Sequence, residues 1–211
     1  MRVAIVQETI ESSRGGAETS TVEMAQRLAE LGLDVSVIFR GQHEGPFMRR
    51  GVMFLPIEAH GPTRALRTYR FVQTAQRMCR IGAFDIVHAI TPCLCADVYQ
   101  PRGGTYPETI ERSLAIVRSR LWRELKRLGR RFNIRQRFLA RLESLLLRRR
   151  AGQVMVAAVS DYVRRQVTAG YKFPAARVRV IFNGVEMRSL TAEEVAKYRN
   201  KRRQLLGLSG E

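Results

Sequence analysis

Apolar residues along this chain fall into two rhythms, short unbroken runs and three- or four-residue stripes, and the two alternate. Arg2 to Gln7 is an unbroken apolar run suited to a strand buried on both faces. Thr19 to Leu31 carries Val22, Ala25, Leu28, Ala29 and Leu31 on one side, the signature of an amphipathic helix, and Gly32 supplies its stop. Asp34 to Phe39 is a second run. Strand, helix and strand in that order make a βαβ unit, which closes right-handed with parallel strands. The alternation continues with a strand at Val52 to Pro56 and a helix at Arg64 to Ile81 bearing Leu66, Tyr69, Val72, Ala75 and Met78. A strand follows at Phe84 to Ile90, another at Val154 to Val159, a helix at Asp161 to Ala169, and a last strand at Val178 to Phe182 that stops at Asn183-Gly184. This pattern predicts an α/β domain with a doubly wound parallel sheet.

One stretch breaks the alternation. Between Pro107 and Arg150, Ile110, Leu114, Val117, Leu121, Leu125 and Leu128 recur at helical steps, and after Gly129 a second stripe begins with Ile134, Phe138, Leu142 and Leu145. Residues 107–150 therefore read as a helical excursion from the sheet.

Composition narrows the class. The 211 residues are 45% hydrophobic and 27% charged, which suits a folded core and argues against wholesale disorder. No run approaches the 18 apolar residues of a spanning helix, and the N-terminus lacks the form of a cleavable signal. Cys79, Cys93 and Cys95 make neither a disulfide framework nor a paired metal knuckle, so the expectation is a soluble protein of a reducing compartment. The net charge of +18 is unevenly placed: Arg118 to Arg150 holds 13 Lys/Arg against Glu124 and Glu143. A smaller basic cluster runs from Lys197 to Arg203.

Several positions suit chemistry. The loop Glu11 to Glu18 joins a buried strand to a helix N-terminus. Its Gly15-Gly16 pair lets backbone approach a ligand where the helix's unpaired N–H groups favour an anion. A flexible turn explains the same residues; they form neither the dinucleotide fingerprint nor a P-loop. His88, at the end of a strand, suits hydroxyl binding or acid/base work, or a structural place. Asp97 suits orienting a nucleophile, or is a solvated loop acid. Glu108 and Glu111 favour a helix's first turn whatever the function. Cys93 and Cys95 read as two small buried residues. No metal site is expected.

Three blocks together resemble the N-terminal domain of a retaining family 4 glycosyltransferase of the GT-B fold, a Rossmann-like domain. They are Arg14-Gly15-Gly16-Ala17-Glu18 after the first strand, Phe84 to His88, and Val159-Ser160-Asp161 followed by Val178 to Glu186. Leu94 to Tyr99 is similar to a stretch of lipopolysaccharide core glucosyltransferases. The resemblance implies a nucleotide-diphosphate sugar as donor substrate with no further cofactor, and a glycan or lipid-linked acceptor. It implies that Gly15 and Gly16 face the donor diphosphate. It places His88 and Asp97 on the acceptor side, Asp97 orienting the acceptor hydroxyl, and sets Asn183, Gly184 and Glu186 at the edge of an interdomain cleft. It divides the chain into a glycosyltransferase domain at 1–185 and a segment at 186–211 leading toward a second, donor-binding domain absent from the chain. On that reading the chain alone lacks transferase activity. The alternative is a non-catalytic module that keeps the fold and binds a nucleotide or another anion.

The basic block admits three readings. It is a solvated helical face; or an interfacial segment in which Arg118, Trp122, Arg123, Lys126, Arg127, Arg130 and Arg131 meet an anionic membrane; or a nucleic-acid tracker. Without zinc-finger spacing, an aromatic RNA-binding strand or a recognition-helix pair, nucleic acid is not the expected partner. The expectation is a cytoplasmic protein, peripheral at the inner face of the membrane.

Overall fold

A computed structural model describes residues 1–10, 16–41, 47–115, 119, 129, 133–184 and 191–208. The strands are β1 (Arg2–Gln7), β2 (Asp34–Arg40), β3 (Phe47–Arg49), β4 (Val52–Ile57), β5 (Ile86–Ala89), β6 (Val98–Tyr99), β7 (Met155–Ala158) and β8 (Val178–Val180). The helices are α1 (Gly16–Glu30), α2 (Arg64–Ile81), α3 (Tyr106–Ala115), α4 (Ile134–Arg149), α5 (Asp161–Tyr171) and α6 (Ala192–Leu205). The strands form one sheet in the order β3-β4-β2-β1-β5-β6-β7-β8, parallel throughout except for the antiparallel β3–β4 pair at one edge. This is the doubly wound, Rossmann-like sheet expected from the alternation of runs and stripes.

β1 shows why its sequence lacks polar relief. Val3 and Ile5 face the layer containing Ala25 of α1, while Ala4 and Val6 face the layer built by Phe71, Val72 and Ala75 of α2. Ile5 is fully buried, so its side chain contributes roughly 2–3 kcal/mol of transfer free energy. β2 repeats the arrangement, with Val35 and Val37 on one side and Ile38 on the other.

The α2 boundaries match the expected Arg64 to Ile81, set by Thr63, whose side chain accepts from the Leu66 amide, and by Gly82. Its buried face is Thr68, Phe71, Val72, Ala75 and Cys79. The expected stripe included Tyr69, which instead lies at the edge with its ring against Phe138 of α4, 5.5 Å between centroids. Phe71 takes the core position, fully buried in the cluster that contains Ala4 and Val6 of β1. In α4 the buried residues are Leu139, Leu142, Glu143, Leu146 and Leu147, whereas the expected Ile134 is exposed.

Three elements were not anticipated: the edge strand β3, the two-residue β6, and α6. The last has a readable start, a reciprocal capping box between Thr191 and Glu194, and none of its residues is buried. Residues 134–149 bear out the second half of the helical excursion. Arg118, Trp122, Arg123, Lys126, Arg127, Arg130 and Arg131 lie outside the described residues. No helix among the described residues is long and apolar enough to cross a membrane.

Candidate functional site

The carboxyl ends of the parallel strands open into two adjoining cavities, the place where an open α/β sheet collects its ligands. The first, of about 380 Å³, is bounded by the face of α1 that carries Ser20, Glu23 and Arg27. Gln100 and Arg102, just beyond β6, and Ile181 to Gly184, just beyond β8, complete its wall. The second, of about 270 Å³, lies over the end of β1 and is lined by Glu8, Thr91, Tyr106 and Arg135 among others. Arg102 borders both.

Arg102 is held from several sides. Its Nη1 donates to Ser20 Oγ at 2.8 Å and to Thr21 Oγ1 at 2.7 Å, and its Nε donates to Gln100 Oε1 at 3.2 Å. Thr21 in turn donates to Gln7 Oε1. Burial lowers the Arg102 pKa from its ordinary value, the mark of a cation partly removed from water. The loop that presents it is anchored by Gln100 N to Ala89 O at 2.8 Å and by Thr105 N to Gln166 Oε1 at 2.9 Å. Between these anchors Gly104 sits at φ +84°, and a Cβ there would come within 2.8 Å of the same Gln166 oxygen. The positive φ favours glycine, and a Cβ would have to push the Gln166 amide off the Thr105 N–H it accepts from.

His88 stands one side chain behind the first cavity. Its Nε2 lies 3.1 Å from Gln100 Oε1, and burial pushes the imidazole down to about 4, with the Arg102 charge acting in the same direction against the Gln100 bond. It supports Gln100, and through it Arg102, and lines neither of the two cavities.

Asp97 lines neither cavity. It precedes β6 at the amino edge of the sheet, opposite both cavities. Its Oδ2 accepts from Val87 N at 2.8 Å, its amide donates to Val87 O at 2.9 Å, and its carbonyl accepts from Met155 N at 2.8 Å. Those bonds clasp β5, β6 and β7 together. It lies there because an eight-residue segment, 90–97, carries the chain from the carboxyl edge back to the amino edge between β5 and β6.

Gly16 is the first residue of α1, three residues before the expected helix start, while Gly15 lies outside the described residues. Asn183 and Gly184 line the first cavity beside the exposed Phe182, and Glu186 lies outside the described residues.

The sequence reading passed over two acids. Glu8, 4% exposed at the end of β1, accepts from Thr68 Oγ1 at 2.6 Å and from Arg135 Nη2 at 2.7 Å, with Arg40 Nε 3.4 Å away. Its signal was available: an acid closing a buried apolar strand must find partners. Glu143, fully buried on α4, accepts from Tyr99 Oη at 2.7 Å, Tyr171 Oη at 2.6 Å and Tyr106 N at 2.8 Å. Burial raises its pKa while these bonds oppose the rise. Among the described residues, no group of three or more His, Cys, Asp or Glu is arranged to hold a metal ion.

The profile of Glycosyltransferase Family 4 matches residues 14–188. Among solved structures, the chain is similar to WaaG, a glycosyltransferase involved in lipopolysaccharide biosynthesis, with 16% identity and a TM-score of 0.72 over 98% of this chain and 52% of that one. A glycosyltransferase from Rickettsia africae ESF-5 aligns with 16% identity and a TM-score of 0.57 over 100% of this chain and 50% of that one. Sucrose-phosphate synthase from Thermosynechococcus elongatus aligns with 12% identity and a TM-score of 0.60 over 94% and 52%. At such identities the likeness is one of fold, and the chain spans about half the length of each structure. No curated protein sequence matches it.

Proposed function

The chain belongs to glycosyltransferase family 4, and from that premise we propose that it is the acceptor-side half of a retaining GT-B glycosyltransferase. The reaction moves a hexosyl group from a nucleotide-diphosphate sugar to a cell-envelope glycan or lipid-linked acceptor. The observation that carries this reading is the cavity at the carboxyl edge where α1, Arg102 and Asn183-Gly184 meet. A second Rossmann-like domain, closing over that edge, supplies the remaining donor contacts. The 50–52% coverage of the similar solved chains supports this division.

In this reading Gly15 and Gly16 bring backbone close to the donor diphosphate, and Arg102 adds a partly buried cation on the same edge. Asn183, Gly184 and Glu186 form the rim against the second domain. His88 acts through Gln100 and does not touch the reacting atoms. The basic block from Arg118 to Arg131, with Trp122, docks the protein on the anionic inner face of the cytoplasmic membrane, where lipid-linked acceptors are displayed.

The test is transfer of label from a panel of nucleotide-diphosphate sugars to lipopolysaccharide-core and lipid-linked acceptors. The chain alone is expected to be inactive, and the chain joined to a second GT-B domain active with retained anomeric configuration. Transfer by the 211-residue chain alone would overturn the division of labour. Anion binding without transfer by the joined protein would favour the non-catalytic module. Flotation with anionic and neutral vesicles, beside a salt titration against RNA, tests the basic block. RNA binding without lipid preference would remove the membrane role.

A further inference from the structure

Away from both cavities, all three cysteines of the chain converge. Cys79 comes from the last turns of α2, and Cys93 and Cys95 from the segment that joins β5 to β6; all are free thiols. Cys95 Sγ lies 3.5 Å from Cys93 Sγ, and Cys79 is near enough to act on the Cys95 thiol. Cys93 is fully buried and Cys79 is 7% exposed, whereas Cys95 is half-buried, the most exposed of the three. Arg150, at the end of α4, reaches over the same turn, its Nη1 donating to Leu94 O and to Ala96 O at 3.5 Å.

Two thiols beside one sulfur favour negative charge on it, and the Arg150 charge on the same turn adds in the same direction. The Cys79 and Cys93 hydrogen bonds, with the Arg150 charge, bring the Cys95 thiol down to about 4 against the effect of burial. The same contacts and burial push Cys93 and Cys79 up. A thiolate beside two protonated thiols is an arrangement of nucleophile and resolving groups.

We infer that Cys95 is a peroxide-reactive thiol whose oxidation is resolved as a Cys93–Cys95 disulfide. The Cys95 thiolate attacks one oxygen of hydrogen peroxide; the O–O bond breaks, hydroxide leaves and takes a proton from solvent, and Cys95 becomes a sulfenic acid. Cys93 Sγ then attacks the Cys95 sulfur. The S–S bond forms, the S–O bond breaks, and the departing hydroxide leaves as water with the Cys93 thiol proton. Two sulfurs give up two electrons, and one peroxide becomes two waters. Cys93 is the resolving residue because it shares a turn with Cys95, so the approach from 3.5 Å to bonding distance is absorbed by loop backbone. Cys79 is fixed by the packing of α2.

The test uses the reduced, desalted chain and limiting hydrogen peroxide, read by differential alkylation and peptide mass spectrometry. The expected product is an intramolecular bond between Cys93 and Cys95, with Cys79 alkylated. Cys79→Ser is expected to retain it. Cys93→Ser is expected to accumulate a sulfenic acid at Cys95 that dimedone traps. Cys95→Ser is expected to remove rapid peroxide consumption. The wild-type rate is expected to stay flat between about pH 5 and 7, where the urea-unfolded chain speeds up roughly tenfold per pH unit. Far-ultraviolet circular dichroism of each variant separates misfolding from loss of chemistry. Oxidation of Cys95 no faster than in the unfolded chain, a product bridging Cys79, or disulfides only between molecules would each overturn the inference.

Discussion

His88 Nε2 and Arg102 Nε converge on one oxygen, Gln100 Oε1, at 3.1 and 3.2 Å. A carbonyl oxygen only accepts, so His88 presents Nε2–H there and its neutral form carries the proton on that nitrogen. The histidine thereby fixes the amide orientation that Arg102 uses.

Burial of the neutral imidazole makes stability depend on pH. The His88 pKa falls from 6.5 to about 4 on folding. The unfolded chain therefore binds the extra proton between those values, and the contribution is complete above about 6.5 and lost as pH falls toward 4. Its size is on the order of 3 kcal/mol. Urea denaturation from pH 7.5 to 4 is expected to show this loss for the wild type and a flatter profile for His88→Gln. Equal slopes would show that His88 does not titrate in this way.

Arg102 is expected to govern binding of the diphosphate. Arg102→Ala removes a charge and a planar fork of donors, so affinity for a nucleoside diphosphate should fall about tenfold or more by calorimetry. Arg102→Lys keeps the charge without the fork and is expected to recover only part of the loss. An unchanged Kd in the alanine variant would remove Arg102 from the donor site.

For Asp97, structure and catalysis predict different outcomes. As the acceptor for Val87 N, it should be replaced by Asn at small cost, while Asp97→Ala should lose about 1–2 kcal/mol of stability. Turnover of the joined two-domain enzyme, per folded molecule, is expected to be unchanged in Asp97→Asn. A hundredfold fall in kcat for that variant would restore the acid to the chemistry.

Glu143 accepts three hydrogen bonds inside the core. Glu143→Leu strands two tyrosine hydroxyls and one amide, and thermal unfolding should report a loss of roughly 3–5 kcal/mol. Adding Tyr99→Phe and Tyr171→Phe removes two of the stranded donors and is expected to return part of it. A neutral Glu143→Leu would mean that water replaces the carboxylate.

The sheet was legible because its strands are buried on both faces, so Val3 to Val6 carries no polar residue and Val35 to Phe39 only the small, buried Ser36. The helices were legible from capping residues and stripes, although Tyr69 misled: its polar edge lets it sit at a boundary that a stripe counts as core. β6 escaped notice because two residues carry no periodicity. The same gap hid the turn-back of residues 90–97, and with it the side of the sheet to which Asp97 belongs. Of the site, the Gly-Gly loop and Asn183-Gly184 were legible as local patterns. Glu8, Arg102 and Arg135 were not, because their partnerships join residues as far as 127 positions apart.

β1 lies between β2 and β5 in the interior of the sheet, so the sheet grows outward from it in both directions. β2 can zip onto it and β4 onto β2 while the rest of the chain is still being synthesised, and strands β5 to β8 extend the opposite wing afterward. The wall formed by Phe182 to Gly184 belongs to the last part of that wing. A nascent chain stalled before Val178 can therefore hold a folded flank and every residue that lines the second cavity, yet lack the Ile181 to Gly184 wall of the first.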